Sequence, residues 1–326
     1  MKKKTVRIIV VIVIALIILI PLGIIGYIMM FLPNIPLKTV QVASTPDRLE
    51  RGKYLAYHIT VCMDCHSTRD WSKFSGPLTA GTEGKGGERF DQALGFPGVF
   101  YSPNITPYHL SDWSDAEVYR TITSGEAKDG RALFPIMPYL YYGSMDDEDI
   151  YSLIAFVRSL PPLASTTPAP KPDFPINIIM RTIPKPGIPG KLPPASDTVN
   201  YGKYLVNASG CIECHTPVNK GQIIKEKAFS GGREFEMPFG ILRSANISQD
   251  KKTGIGSWTT QVFLNRFKAY DLTTYVPPAV TKNDFMTLMP WTMYAGMTTS
   301  DLVSVFRYLQ TLPAMENKVE KTTFIK

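Results

Sequence analysis

Hydrophobic and polar positions divide the chain into one unbroken apolar run, two amphipathic stretches that echo each other, and a proline-rich interval between them. Ile8 to Leu32 is an almost wholly apolar run of 25 residues, preceded by the basic group Lys2, Lys3, Lys4 and Arg7. About 20 apolar residues in a helix cross a bilayer core, so this run predicts a spanning helix. A cleaved signal peptide has an apolar core of only ~7–15 residues and small residues at its cleavage site. The bulky exit Tyr27-Ile28-Met29-Met30-Phe31-Leu32 favours a retained anchor, and Pro21, Gly23 and Gly26 are tolerated inside a membrane helix. Basic residues ahead of the span keep that end cytoplasmic and place the remainder outside.

Beyond the run, the pattern is mostly helical. Asp47 to Thr60 and Asp197 to Ala208 read as short helices. Ser114-Asp115-Ala116-Glu117 is a capping-box pattern that opens a further helix. Thr298-Thr299-Ser300-Asp301 opens the last one, whose apolar positions Leu302, Val305, Phe306 and Leu309 follow helical spacing. Ile150, Leu153, Ile154 and Val157 make the same stripe earlier, and both stripes read as core packing. Pro161 to Pro194 holds eleven prolines. Proline lacks the amide donor and fixes φ, which predicts an extended connector. Its apolar centre, Phe174 to Arg181, predicts packing along one of the flanking stretches.

The two amphipathic stretches are copies of one unit. Gly52-Lys53-Tyr54-Leu55 answers to Gly202-Lys203-Tyr204-Leu205, Asn104-Ile105-Thr106 to Asn246-Ile247-Ser248, and Met137-Pro138-Tyr139 to Met289-Pro290-Trp291. Met145 and Met297, Asp149 and Asp301, and Leu160-Pro161 and Leu312-Pro313 recur at matching offsets. So long a period marks duplicated domains rather than a solenoid of short repeats. The expected organisation is a cytoplasmic stub and anchor over 1–34, a first domain over 45–162, a linker over 163–195, a second domain over 196–315 and a polar tail over 316–326.

Net charge is +7, of which the basic group ahead of the apolar run supplies four. No dense basic patch with interleaved aromatics is present, so the charge does not point to nucleic acid. The four cysteines carry far more information. They fall in Cys62-Met63-Asp64-Cys65-His66 and Cys211-Ile212-Glu213-Cys214-His215. Both are C-x-x-C-H, the spacing of c-type haem attachment: two sulfurs form thioethers to the porphyrin and the histidine ligates iron. Zinc sites set their cysteine pairs ~15–20 residues apart, far closer than these. A redox dithiol does not require histidine after both second cysteines. The reading is two covalent haem c groups, on Cys62, Cys65, Cys211 and Cys214, with His66 and His215 as axial ligands.

An electron carrier fills the sixth position of the iron, commonly with a methionine sulfur. Of thirteen methionines, the repeat isolates Met137 with Met289 and Met145 with Met297. Met137 and Met289 are assigned as the ligands, because a following proline holds each in extended backbone in the loop before the last helix. Met145 and Met297, at the start of that helix, read as packing residues. His58 and His109 have no counterparts in the other copy and read as surface or packing residues, although His58 lies close enough to Cys62 in sequence to touch a haem rim.

On these residues the chain resembles the membrane-anchored multihaem cytochrome c subunits of bacterial alcohol and gluconate dehydrogenases, in a diheme variant. The segments that carry the resemblance are Gly52-Lys53-Tyr54-Leu55-Ala56, Asn104-Ile105-Thr106-Pro107, Asp129-Gly130 ahead of Met137-Pro138-Tyr139, Met145 to Asp149, Leu160-Pro161-Pro162, Phe174-Pro175-Ile176-Asn177 with Arg181, and Thr253 to Trp258. The expected fold is a mainly α chain with two tandem cytochrome c-type domains after one N-terminal transmembrane helix. The resemblance implies the first residue of each Met-Pro as axial ligand. It also implies single-electron relay from a dehydrogenase subunit to a respiratory acceptor such as the quinone pool, an oxidase or another cytochrome, with the haem domains on the periplasmic face of the cytoplasmic membrane. The chain departs from that family in having two haem motifs where three are common, and an N-terminal anchor where a C-terminal one is frequent. The expectation is a carrier and not an enzyme. The alternatives are a diheme peroxidase or other haem reductase, which needs an open iron position and adjacent acid-base groups, and a haem-based sensor or assembly factor.

Overall fold

The computed structural model describes residues 3–237, 239–281 and 284–324. Met1 and Lys2 of the expected stub and the last two residues of the expected tail lie outside the described residues. The apolar run forms one helix, Lys3–Phe31, with no buried residue along it, long and apolar enough to cross a membrane. Its last carbonyls have no partners within the helix. Arg181 supplies one, donating from Nη1 to Leu32 O at 3.0 Å and to Met29 O at 3.3 Å, which also sets a cation at the negative end of the helix dipole.

A short strap then docks on the first half of the chain. The Ile35 amide donates to Glu126 at 2.7 Å, the Val42 amide to Asp115 at 2.8 Å, and Lys38 pairs with Asp147 at 2.5 Å. Thr45 caps the helix Pro46–Tyr54, which runs on as a wider turn through Ile59. This opening helix crosses the closing helix Asp147–Ser159. The second half repeats the pair with Thr198–Ala208 and Thr299–Leu309. Both crossings happen at the glycine of the repeated Gly-Lys-Tyr-Leu. A Cβ at Gly52 would overlap the Ser152 carbonyl oxygen and lie 2.6 Å from its carbon, and one at Gly202 would overlap the Ser304 oxygen and lie 2.5 Å from its carbon. Leu55 and Leu205 of the same motif are fully buried.

The tyrosine of that motif reaches the other half. Tyr54 donates to Asp301 at 2.6 Å and Tyr204 donates to Asp149 at 2.6 Å; the amides of Thr298 and Asp146 donate to the same two phenols. The halves are thus joined by a reciprocal pair of bonds, and their cores merge into one apolar cluster.

The helical expectation holds for these elements, and the Ser114 capping box forms as the pattern predicts. Among the described residues three small sheets are present that were not visible in the pattern. Arg89–Phe90, Gly98–Tyr101 and Lys171–Pro172 form one, Val218–Asn219 with Gln222–Ile223 a second, and Glu234–Met237, Gly240–Arg243 and Thr322–Phe324 the third. Their strands are two to four residues long, too short to show a period of two. They also add detail to two segments. The linker packs against the first half as its apolar centre predicts: Lys171–Pro172 pairs with Gly98 and Val99, Ile176–Ile179 folds into a helical turn, and Met180 is buried. The polar tail contributes an edge strand, Thr322–Phe324, paired to Gly240–Leu242.

Candidate functional site

In both halves the chain enters the C-x-x-C-H turn through a left-handed residue. At Gly210 (φ 60°) this is permitted; at Val61 (φ 45°) a β-branched side chain is held where such residues rarely sit. One helical turn follows, Cys62–Cys65 or Cys211–Cys214. It sets two sulfurs three residues apart on one face. None of the four cysteines is in a disulfide, and only Cys214 is exposed. Desolvation pushes the Cys62 thiol up from its ordinary value and the Cys211 thiol up to about 12, so both are neutral thiols.

The histidines are oriented by backbone. His66 Nδ1 donates to the Pro103 carbonyl at 2.8 Å, and His215 Nδ1 donates to the Ala245 carbonyl at 2.8 Å. A carbonyl only accepts, so the proton sits on Nδ1 and Nε2 keeps its lone pair, the arrangement found in metal-ligating imidazoles. Burial pushes both imidazoles below their ordinary pKa against the opposing effect of these bonds. The neutral form is the one that binds metal.

The repeated Asn-Ile-Thr and Asn-Ile-Ser explain how the two accepting carbonyls are fixed. Asn104 Oδ1 accepts the Thr106 amide at 2.8 Å, and Asn246 Oδ1 accepts the Ser248 amide at 2.9 Å, closing a tight turn directly after each carbonyl. Gly86 and Gly231 complete the support. Each donates its amide to the carbonyl of its own histidine at 2.8 Å. Each also has a positive φ and packs against the peptide at Pro103 or Ala245, where a Cβ would lie 2.6 Å from the carbonyl oxygen.

Met137 and Met289 are half-buried at the edge of the common core, while Met145 and Met297 are buried within it. A tyrosine five residues beyond each Met-Pro ties that loop to the cysteine turn of the same half. Tyr142 donates to Thr60 O at 2.8 Å, two residues before Cys62, and Tyr294 donates to Ser209 O at 3.2 Å, two residues before Cys211. In each half the methionine loop is thus hydrogen-bonded to the backbone that enters the cysteine turn. The sequence reading missed Tyr142 and Tyr294, although their equal offset from Met137 and Met289 was a usable signal. His58 donates to the Met293 carbonyl at 2.7 Å, packing at the second half's methionine loop. His109 is exposed, next to Trp113.

The donor set fits a covalently attached haem: paired neutral thiols on one turn, an imidazole with one nitrogen fixed and the other unprotonated, and a thioether carried on a pinned loop. Among the described residues no three or more His, Cys, Asp or Glu side chains gather as a metal-holding cluster of another kind.

No family model matches the chain. Among curated proteins it is 27% identical to the gluconate 2-dehydrogenase cytochrome c subunit of Pantoea cypripedii, over 82% of this chain and 60% of that one. It is 28% identical to the cytochrome c subunit of the quinone alcohol dehydrogenase of Gluconacetobacter polyoxogenes, over 83% and 58%. It is also 28% identical to a diheme c-type cytochrome of Cereibacter sphaeroides, over 52% and 58%. The chain spans little more than half the length of these relatives. By sequence it is thus similar to the cytochrome c subunits of bacterial gluconate and alcohol dehydrogenases and to diheme cytochrome c.

Proposed function

We propose that the chain is a diheme c-type cytochrome with two tandem cytochrome c domains, which relays single electrons from a dehydrogenase to a respiratory acceptor. Cys62, Cys65, Cys211 and Cys214 would carry the thioethers, with His66 and Met137 on one iron and His215 and Met289 on the other. The observation that carries this reading is the duplication of the whole site: in each half an Nδ1–carbonyl bond of 2.8 Å fixes the histidine, and a buried tyrosine pins the Met-Pro loop to the cysteine turn. When bound, haem supplies a one-electron Fe(III)/Fe(II) couple. The protein's part is to hold both axial ligands in place, so that little rearranges on electron transfer, and to exclude water from the iron. The exposed apolar helix Lys3–Phe31 would anchor the molecule in the cytoplasmic membrane, with the haem domains on the outer face. The names of the relatives support a dehydrogenase as donor.

The test is haem stoichiometry. Protein from a host that attaches haem c should carry two haems per chain that survive denaturing electrophoresis, and Cys62→Ser with Cys65→Ser should leave one. Fewer than two in the unaltered chain would overturn the reading. So would fast peroxide turnover, or stoichiometric carbon monoxide binding by the reduced protein, because either requires an open iron.

A further inference from the structure

Ser75 belongs to the first half, in the loop after the first C-x-x-C-H, yet its side chain serves the methionine loop of the second. Its Oγ donates to the Met289 carbonyl at 2.7 Å and accepts the Trp291 amide at 3.3 Å, and its own amide lies 3.3 Å from Met286 Sδ. The surrounding backbone follows the same path: the Phe74 amide donates to Pro278 O at 2.9 Å and the Val280 amide to Ser72 O at 2.8 Å. Ser75 is fully buried and sits at φ 65°, a left-handed conformation that persists at a non-glycine residue only when its surroundings over-determine it.

Arg69 provides that constraint. Nη2 donates to Ser75 O at 2.8 Å, Nε to Gly76 O at 2.9 Å and Nη1 to Asp64 Oδ2 at 3.0 Å, and the guanidinium lies 4.0 Å over the Trp71 ring. Asp64 sits inside the first C-x-x-C-H. A continuous chain of hydrogen bonds therefore runs from the first cysteine turn, through Arg69 and Ser75, to the backbone of Met289. The arrangement is one-sided. Both methionine carbonyls accept the amide two residues on, Met137 from Tyr139 and Met289 from Trp291, each at 2.8 Å, but among the described residues no side chain of the second half donates to Met137 as Ser75 does to Met289.

We propose that Ser75 is a positioning residue, supplied by the first half, that holds Met289 as sixth ligand at the second iron, and that Arg69 fixes Ser75 for this task. The proposal rests on the axial role given to Met289 above. Pro290 has no amide to donate, and the turn closes on the Met289 carbonyl through the Trp291 amide at 2.8 Å. Ser75 spans the proline by binding the groups on either side of it. Without the hydroxyl, the Met289 carbonyl keeps the Trp291 amide but loses its tie to the first half, and the methionine is held less firmly.

The experiment uses the full-length, haem-loaded protein with Ser75→Gly and Ser75→Ala. Glycine tolerates φ 65° and removes the whole hydroxymethyl group, whereas alanine removes only the hydroxyl and keeps the strain. Imidazole titrated against the oxidised protein competes with the axial methionine. In both variants imidazole is expected to bind one of the two haems about fivefold more tightly, the worth of one neutral hydrogen bond. The other haem is unchanged, and the reduction potential of the affected haem falls. Met289→Ala identifies that haem by removing about half of the methionine-to-iron charge-transfer absorption. Arg69→Lys keeps a charge beside Asp64 but cannot fork onto two carbonyls, and is expected to reproduce the one-haem shift. Wild-type titrations and potentials in both Ser75 variants, with Met289→Ala still removing half the absorption, would overturn the role of Ser75 and leave the ligand assignment standing. Full absorption in Met289→Ala would instead overturn the ligand assignment, and this proposal with it.

Discussion

Gly52→Ala tests the close approach of the opening and closing helices of the first half. The added methyl would overlap the Ser152 carbonyl oxygen and lie 2.6 Å from Ser152 C and 2.7 Å from Phe156 Cβ. Carbon atoms settle at about 3.5–4.0 Å, and a gap of about 0.5–1 Å forfeits a quarter to a half of each dispersion contact. Because the obstacle is backbone, no change of rotamer removes it, and the helices Pro46–Tyr54 and Asp147–Ser159 must part by about 1 Å. Leu55, Ile150, Leu153 and Ile154 pack in this core and are essentially without exposure. Overpacking costs about 1–3 kcal/mol, and a rigid backbone clash belongs at the upper end. Alanine's helix preference over glycine returns about 1 kcal/mol, which leaves a net loss of about 2 kcal/mol. The assay is guanidinium unfolding of the haem-loaded protein in detergent, followed by far-ultraviolet circular dichroism. The midpoint should fall in Gly52→Ala, and comparably in Gly202→Ala, where a Cβ meets the Ser304 peptide in the same way. A Gly52→Ala midpoint equal to or above that of the unaltered chain would show that the two helices do not cross backbone to backbone.

The remaining predictions concern the joints between parts. Tyr54→Phe and Tyr204→Phe each remove a hydrogen bond to a buried carboxylate across the halves, and each should lower stability by about 1.5–3 kcal/mol in the same unfolding assay; a double variant as stable as wild type would refute the reciprocal clasp. Burial works to raise the Asp147 carboxyl, but hydrogen bonds from Lys38 and Tyr119 and the Lys38 charge outweigh it and leave its pKa below the ordinary value. Because the folded value is depressed, the stability it contributes is present above the ordinary carboxylate range of about 3.9 and is lost as pH falls through the folded value. Lys38 is partly exposed, so the contribution is at most about 1 kcal/mol. Asp147→Asn should flatten the acid limb of a stability–pH curve, and an unchanged limb would refute the pairing.

The sequence by itself determined the long apolar helix, the two cysteine turns and the repeated motifs, because each is written in the identity and order of residues along the chain. It exposed the repeats without their reasons. Gly52 recurs as Gly202 because backbones touch there, Tyr54 recurs as Tyr204 to reach a carboxylate in the other half, and Asn104 recurs as Asn246 to set the carbonyl that orients a histidine. Periodicity reports which face of an element is buried and carries no information about its partner. The short strands, including the tail strand Thr322–Phe324, had too few residues to show a period. Only the tertiary structure decided that the halves share one core and that Ser75 of the first supports Met289 of the second. Those contacts join residues more than two hundred positions apart, and a hydroxyl that donates to a backbone carbonyl leaves no mark in the identity of the residue that accepts it.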